Sequence, residues 1–219
     1  MWVKICGIRD VATAEQVAAL RPDAVGLNFY GKSPRCVTLE TARDIVRRLP
    51  PSISTVGVFV NHPVDDIARL VDSCRLTMVQ LHGDETPEFV ASLQAQLPDT
   101  PMLRAWRMGD RLDDLAIYLD ECQRRKVRLA GCLIDAKVSG TYGGSGHCPP
   151  WESLSAHYRR TEWPPLILAG GLTPDNVASG IAAVSPWGVD VASGVESSPG
   201  VKDVSAVLRF LHAARQLPL

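Results

Sequence analysis

Short apolar runs rich in β-branched residues alternate with amphipathic segments along the whole chain, and this alternation most constrains the fold. The runs predict strands near residues 2–6, 23–29, 54–60, 77–82, 101–106, 129–135, 165–169 and 188–192. The segments between them predict helices near residues 10–20, 38–49, 63–73, 86–97, 111–125, 151–158, 174–184 and 201–214. Repeated βα units are typical of a parallel sheet. Eight units in 219 residues predict an α/β fold, a single (β/α)8 TIM barrel that occupies residues 1–219 as one domain.

Several predicted strands carry polar residues on one face only. The strand period of two places Lys4 and Cys6 opposite Val3 and Ile5 in the first strand. The same split separates polar from aliphatic residues in further strands, and the polar residues are Asn28, Gln80, His82, Arg104, Asp135 and Asp190. A closed barrel whose inner face carries these residues explains the pattern most simply, with chemistry at the carboxyl ends of the strands.

Composition and charge narrow the class of ligand. Hydrophobic residues make up 46% and charged residues 21% of the chain, which predicts a packed core rather than disorder. The net charge is −1 and the basic residues are scattered, so neither nucleic acid nor an anionic membrane is an expected partner. No apolar stretch approaches the roughly 18 residues of a spanning helix, and a first strand at Trp2 leaves no room for a signal peptide. We expect a cytoplasmic protein with a small, neutral or anionic ligand.

Cys6 and Asp135 are the candidate catalytic pair. They end the predicted first and sixth strands, so a substrate across the barrel mouth would meet a thiol on one side and a carboxyl group on the other. This arrangement suits removal of one proton and delivery of another. A free thiol has a pKa of about 8.5, and Lys4 on the same face would supply a positive charge that favours the thiolate. The alternatives are a small core cysteine and a buried acid without function, although burial of an unpaired charge is costly.

The six cysteines are dispersed along the chain without any C-x-x-C pair. This spacing predicts reduced thiols rather than a zinc site or a disulfide framework. No metal site is therefore expected.

Two glycine-containing segments follow the predicted seventh and eighth strands. Residues 168–173 contain Gly171, and residues 191–196 contain Ser193 and Gly194. In α/β barrels, backbone N–H groups at this position hold a phosphate group, and glycine lets the main chain approach the phosphate oxygens. Either segment alone is compatible with an ordinary turn, but together they predict a phosphate site.

Arg35, His82 and Asp190 are further candidate substrate contacts. Arg35 lies in a loop at the barrel mouth, and its planar guanidinium matches a carboxylate; the alternative is an unpaired arginine that faces solvent. His82 is predicted either to contact the ligand or to be a hydrogen-bonded core histidine. Asp190 is predicted either to accept a hydrogen bond from the ligand or to pair with an interior cation such as Lys4 or Arg104.

Seven short motifs occur in order along the chain. They are VKICGI from residue 3, FYGKSPR from residue 29, VGVFVN from residue 56, VQLHG from residue 79, Asp135 with GGSG from residue 143, AGGL from residue 169 and GVDVASGVE from residue 188. Together they resemble the phosphoribosylanthranilate isomerase family. No single motif is specific, but the combination is, and it runs nearly from end to end.

The resemblance implies an isomerase of tryptophan biosynthesis. Its reaction would convert N-(5-phosphoribosyl)anthranilate into 1-(2-carboxyphenylamino)-1-deoxyribulose 5-phosphate by an Amadori rearrangement. By matched motif, Cys6 would be the general base at the ribose C2 position, and Asp135 the general acid at the ring oxygen. Protons move within one phosphosugar substrate, so no metal, nicotinamide or flavin cofactor is expected. The protein is expected to be a monomer or a homodimer.

The resemblance also assigns the two ends of the substrate. Arg35 would bind the anthranilate carboxylate, while Gly171 and the loop at Ser193 and Gly194 would bind the phosphate. The chain departs from the family at residues 147–151, where the aspartate that would cap the sixth helix is missing. The start of this helix and the order of the glycine-rich loop before it are therefore open at the level of sequence.

Three alternatives remain beside the resemblance. A histidine-pathway aldose isomerase would carry a carboxylate base where Cys6 stands. Indole-glycerol-phosphate synthase would use a lysine-centred set of acids and bases and a longer amino terminus. An inactive phosphosugar-binding barrel is a third alternative, although Cys6 and Asp135 are both present.

Overall fold

The computed structural model describes residues 1–109, 111–136 and 148–216, and the fold below refers to them. The barrel strands among them are β1 (Trp2–Cys6), β2 (Ala24–Asn28), β3 (Ser54–Phe59), β4 (Met78–Leu81), β5 (Met102–Met108), β6 (Gly131–Ala136), β7 (Leu166–Leu168) and β8 (Gly188–Val191). The helices are α1 (Val11–Ala19), α2 (Leu39–Arg48), α3 (Val64–Cys74), α4 (Pro87–Gln96), α5 (Asp113–Arg124), α6 (Trp151–His157), α7 (Val177–Val184) and α8 (Val204–Arg215). Each barrel strand pairs in parallel with the next, and β8 pairs with β1 to close the barrel. The predicted α/β class and (β/α)8 barrel are confirmed, and every predicted strand and helix overlaps an observed one.

A small hairpin between β8 and α8 was not predicted. A single 3₁₀ turn over Ser193–Val195 leads into β9 (Glu196–Ser198), which pairs antiparallel with β10 (Val201–Lys202). The last helix was predicted from residue 201 but begins at Val204. It begins there because the Asp203 carboxylate accepts hydrogen bonds from two backbone N–H groups of the first helical turn.

The sixth helix begins where the sequence predicted, although it lacks a side-chain cap. Pro150 precedes its first residue, Trp151, and no side chain at this position accepts a hydrogen bond from the first turn. The missing aspartate is therefore not needed to start this helix. The glycine-rich loop at residues 139–146 lies outside the described residues, as does His147.

One face of each barrel strand packs in the barrel interior and the other packs against the helices. This arrangement corrects the prediction for Arg104. The inner cluster consists of Ala24, Val56, Leu103, Ala105, Leu133, Ile167 and Ala169. Because Leu103 and Ala105 point inward, Arg104 between them points outward, and its guanidinium lies 5.1 Å from the ring of Tyr118 on α5. The prediction that Arg104 shares the polar inner face, and with it a pairing to Asp190, is wrong.

Among the described helices, none combines the length and the apolar character of a membrane-spanning segment.

Candidate active site

A cavity of about 310 Å³ lies at the carboxyl ends of the barrel strands. Its lining includes all of the residues that were predicted to form the site: Cys6, Arg35, His82, Asp135, Gly171, Asp190, Ser193 and Gly194. A cavity of this size and position is typical of small-molecule sites in α/β barrels. The fold therefore brings together residues that are far apart in the sequence.

The position of the Cys6 thiol depends on a glycine in the neighbouring strand. Cys6 is paired with Gly26 of β2 in the sheet register. A Cβ atom on Gly26 would lie 2.6 Å from Cys6 Sγ, so any side chain there would displace the thiol. The sequence analysis did not assign Gly26, although a glycine inside a strand signals a close approach. All six cysteines are free thiols.

A buried lysine lies beside Cys6. The Nζ atom of Lys4 is 2.6 Å from Oδ1 of Asp190, and the Lys4 side chain is completely buried. Burial alone would lower the pKa of Lys4, but the Asp190 carboxylate outweighs it, so the pKa of Lys4 is raised. Burial raises the pKa of the Cys6 thiol, and the Lys4 ammonium opposes this shift without cancelling it. Of the two predicted roles of Asp190, pairing with Lys4 is present, and Asp190 also lines the cavity.

His82 lies across the cavity, next to Asp135. Its Nε2 atom is 3.7 Å from Oδ2 of Asp135, which is too long for a hydrogen bond. Its Nδ1 atom is 2.9 Å from Nε2 of Gln80, a buried residue of β4. Of the two predicted alternatives, the hydrogen-bonded core histidine is observed. Because His82 also lines the cavity, a contact with the ligand stays a prediction. The sequence placed Gln80 on the inner face but gave it no role.

Arg35 is held by an acidic residue that the sequence analysis did not assign. Its Nε and Nη2 atoms donate to the two carboxylate oxygens of Glu196, both at 2.8 Å. Lys202 Nζ and the Gly200 N–H donate to the same carboxylate, at 2.8 Å and 3.1 Å. Burial tends to raise the pKa of Glu196, but the bonds from Arg35 and Lys202 outweigh it and lower the pKa to about 2. The alternative of an unpaired Arg35 facing solvent is wrong.

The position of Arg35 also requires a residue without a side chain directly after β1. Gly7 has a φ of +84°, and a Cβ atom on it would lie 2.5 Å from Cδ of Arg35. Arg35 therefore lies directly over Gly7. The VKICGI motif thus contributes both the thiol and the surface on which the arginine rests.

The loops that follow β7 and β8 are packed against each other. A Cβ atom on Gly194 would lie 1.8 Å from the carbonyl oxygen of Leu172, so only glycine fits at this position. The Asn176 side chain fixes the first loop, because its Nδ2 donates to the Gly171 carbonyl at 2.9 Å. Lys202 supports the second loop, because its Nζ donates to the Ala192 carbonyl at 2.8 Å. The backbone at the predicted phosphate site is therefore held from both sides.

A closed α/β barrel with a polar cavity at the carboxyl ends of its strands defines this chain as a (β/α)8 barrel of the enzyme type. The family model described as N-(5'phosphoribosyl)anthranilate (PRA) isomerase matches residues 3–213. The chain belongs to this family.

Individual relatives agree with the family model. N-(5'-phosphoribosyl)anthranilate isomerase of Geotalea uraniireducens (strain Rf4) is 42% identical over 217 residues, which are 98% of this chain and 98% of the relative. The crystal structure of phosphoribosyl anthranilate isomerase from Thermotoga maritima is 34% identical, with a TM-score of 0.85 and coverage of 99% of this chain and 100% of that one. A structure of the isomerase with reduced 1-(o-carboxyphenylamino)-1-deoxyribulose 5-phosphate is 33% identical, with a TM-score of 0.82 and the same coverage.

These matches confirm the predicted family and the predicted isomerase function in tryptophan biosynthesis. They argue against the two related phosphosugar barrels that were considered as alternatives. The matches name the family and do not assign roles to individual side chains, so the roles of the cavity residues stay predictions.

Proposed function

We propose that this protein isomerises N-(5-phosphoribosyl)anthranilate with Cys6 as the general base and Asp135 as the general acid. The observation that supports this most is the placement of a thiol from β1 and a carboxyl group from β6 in the lining of one cavity. Cationic and glycine-rich segments lie at the same mouth, where they can hold the two anionic ends of such a substrate.

The proposed reaction moves two protons. Asp135 gives its proton to the ribose ring oxygen while the C1–oxygen bond breaks and the anthranilate nitrogen forms a double bond to C1. Cys6, as the thiolate, then removes the proton from C2, and the electrons of the C–H bond form an enolamine that tautomerises to the ketone. Each acid or base role contributes roughly 10²–10⁴-fold to the rate.

The charge near Cys6 sets the pH at which this base works. Burial raises the pKa of the thiol, so the thiolate is scarce below that pKa but strongly basic when present. The Lys4 ammonium favours the thiolate, and Asp190 keeps Lys4 charged in the barrel interior. Because the thiolate is the active form, kcat/KM should rise as the pH increases through the raised pKa.

Arg35 and the two glycine loops are proposed to bind opposite ends of the substrate. Glu196 occupies the Nε and Nη2 side of the Arg35 guanidinium, which fixes its plane and leaves Nη1 for the anthranilate carboxylate. Backbone N–H groups at Gly171, Ser193 and Gly194 are proposed to bind the phosphate, with His82 and Asp190 contacting the sugar between them.

Substitutions that remove one proton carrier at a time test this assignment. Cys6→Ser and Asp135→Asn should each lower kcat by at least roughly 10²-fold. Binding of reduced 1-(o-carboxyphenylamino)-1-deoxyribulose 5-phosphate, measured by calorimetry, should persist in both. Cys36→Ser and Asp120→Asn are matched controls outside the cavity and should retain activity. Full turnover by either cavity variant would refute the assigned role, and a wild-type protein that binds without turnover would support an inactive barrel instead.

Three broader properties belong to the same proposal. Residues 1–219 are proposed to act as one domain in the cytoplasm, on a small phosphosugar and without a metal or organic cofactor. Activity should therefore survive dialysis against a chelator. A monomer is favoured over a homodimer, because the large exposed apolar side chains among the described residues are distributed over α5, the connection before β8, β10 and α8; they are Ile117, Trp187, Val201 and Leu208. Sedimentation equilibrium would test this.

A further inference from the structure

We propose that Gln80 is a positioning residue that fixes the tautomer of His82, so that His82 presents an N–H group to Asp135 and to the cavity. Gln80 is completely buried in β4, and His82 directly follows that strand and is 9% exposed. Both line the cavity. The inference has two parts: the tautomer of His82, and its effect on turnover, which is the functional half. The functional half rests on the proposed role of Asp135, whereas the tautomer does not.

The contacts of the imidazole define the tautomer. Nε2 of Gln80 lies 2.9 Å from Nδ1 of His82. An amide nitrogen can only donate a hydrogen bond, so Nδ1 accepts, and the neutral ring then carries its proton on Nε2. Gln80 thus holds the imidazole in place. Residues that hydrogen-bond the second nitrogen of a functional histidine commonly fix its orientation in this way.

The other ring nitrogen is left available for chemistry. Nε2 of His82 is buried and has no hydrogen-bond partner within the described part of the chain. Oδ2 of Asp135 lies 3.7 Å from it. A buried donor without a partner is costly, so its presence in a cavity points to a partner that arrives with the substrate or forms during the reaction.

The opposite tautomer would be unfavourable beside the ionised Asp135 that remains after proton transfer. With the proton on Nδ1, the lone pair of Nε2 would face a carboxylate oxygen across 3.7 Å, and the two would repel. With the proton on Nε2, the N–H dipole points at that oxygen instead. Gln80 therefore selects the arrangement that suits a negative charge on Asp135.

This arrangement gives His82 a defined task in the reaction. When Asp135 has delivered its proton to the ring oxygen, a negative charge remains on its carboxylate in a buried cavity. The Nε2–H group of His82 can stabilise this charge if the 3.7 Å separation shortens to hydrogen-bond length. Gln80 acts through His82 and need not touch the substrate.

The tautomer can be measured directly, without any variant of Gln80. Long-range ¹⁵N–¹H correlation spectra of protein labelled with [¹⁵N]histidine distinguish protonated from unprotonated ring nitrogens, and His82→Asn assigns the signals among the five histidines. We expect the neutral ring of His82 to be protonated at Nε2 and unprotonated at Nδ1. A proton on Nδ1 of the neutral ring in the wild-type protein would overturn the proposal.

Two substitutions test whether Gln80 causes this tautomer. Gln80→Glu replaces the donor by a carboxylate, which can only accept and so should move the proton to Nδ1. Gln80→Met removes the hydrogen bond at similar size and should give a mixture of tautomers. Gln123→Glu, the same chemical change on an exposed face of α5, should leave the His82 signals unchanged. An unchanged Nε2–H tautomer in both Gln80 variants would overturn the role of Gln80.

Kinetics test the functional half separately. In both Gln80 variants kcat should fall roughly 10-fold to 100-fold, while affinity for reduced 1-(o-carboxyphenylamino)-1-deoxyribulose 5-phosphate changes much less. A switched tautomer with unchanged kcat would overturn the functional half. Normal turnover by Asp135→Asn would instead show that the proposed acid is wrong, while the tautomer assignment would stand on the spectra.

Discussion

Lys4 and Arg104 are both buried cations on barrel strands, yet they lie on opposite faces of the barrel. Arg104 faces the helices, where it donates to the carbonyls of Leu81 and Gly83, each at 3.0 Å, and to Glu85 at 3.2 Å. Lys4 faces the cavity, and its hydrogen bond is to Asp190 at 2.6 Å. One cation is bound to the backbone of a loop, whereas the other lies between a carboxylate and a thiol.

The comparison distinguishes an ion pair that stabilises the fold, that of Arg104, from one that influences the reactivity of a thiol, that of Lys4. The carbonyls that Arg104 binds belong to the end of β4 and the loop after it, so this residue fixes the connection to α4. Lys4 binds no described backbone atom, and its charge acts on Cys6. Burial and pairing with a carboxylate are common to both, and the two cations differ in the face of the strand and in their remaining contacts.

The largest expected effect is that of Lys4→Met. Loss of the cation should lower kcat/KM about 10²-fold and move the pH profile of Cys6 alkylation to higher pH, because the thiolate loses its neighbouring positive charge. The buried Asp190 would be left unpaired, which costs about 3–5 kcal/mol of stability. Mass spectrometry of the peptide that contains Cys6 would measure its alkylation rate. An unchanged pH profile would contradict a chemical role for Lys4.

Arg104→Met should be equally destabilising but catalytically silent. Glu85 would lose its buried ion-pair partner and, within the ranges that the structure describes, keep only the Asn61 and Gly83 N–H groups as donors, so the free energy of unfolding should fall by about 3–5 kcal/mol in denaturant titrations. The folded fraction should retain its kcat. Arg209→Met on the exposed face of α8 is the control and should change neither quantity. A large loss of kcat in folded Arg104→Met would abolish the distinction between the two cations.

Gly26→Ala sharpens the comparison on the inner face alone. The added methyl group would overlap Cys6 Sγ, so we expect a loss of about 1–3 kcal/mol in stability and of at least roughly tenfold in kcat. Gly31→Ala is the matched control, because a Cβ atom there would meet nothing within 4 Å. Equal effects of the two substitutions would argue against a packing constraint on the thiol.

Glu196 extends the comparison to a third buried pair and gives the smallest expected effect. Its pKa is about 2 in the folded protein and about 4.5 when exposed, so its contribution is complete above the higher value and is lost as the pH falls toward 2. Glu196→Gln should remove on the order of 1 kcal/mol of this acid-dependent stability. Thermal unfolding between these pH values would measure it, with Glu162→Gln at an exposed site as control. Parallel pH curves for wild type and Glu196→Gln would contradict the expectation.

The sequence predicted most of the barrel, and it predicted the correct strand face for most polar residues but not for Arg104. The period of two separates neighbours along a strand, and it placed Cys6 and Asp135 correctly in the cavity lining. It failed for Arg104, because both faces of a barrel strand are buried and leucine or alanine suits either one. Nothing in the alternation of β5 tells which side faces the helices.

The contacts of Arg35 show a second limit. Glu196 and Lys202 lie in a hairpin of two short strands, and such strands carry too few residues for a periodic signal. Glu196 is also distant from Arg35 in the sequence, so no local pattern pairs them. Gln80 was placed on the inner face, but its bond to His82 depends on side-chain conformations that the sequence does not specify.

Lys202 bonds to two groups beside the proposed binding sites for the two ends of the substrate. Its ammonium donates to the Ala192 carbonyl in the loop that is proposed to bind phosphate, and to the Glu196 carboxylate that holds Arg35. The β9–β10 hairpin, which carries Glu196 and Lys202, therefore influences the spacing between the two proposed anion sites. Evolution or engineering toward a longer or shorter substrate would therefore involve this hairpin, because a single ammonium group contacts both proposed anchors.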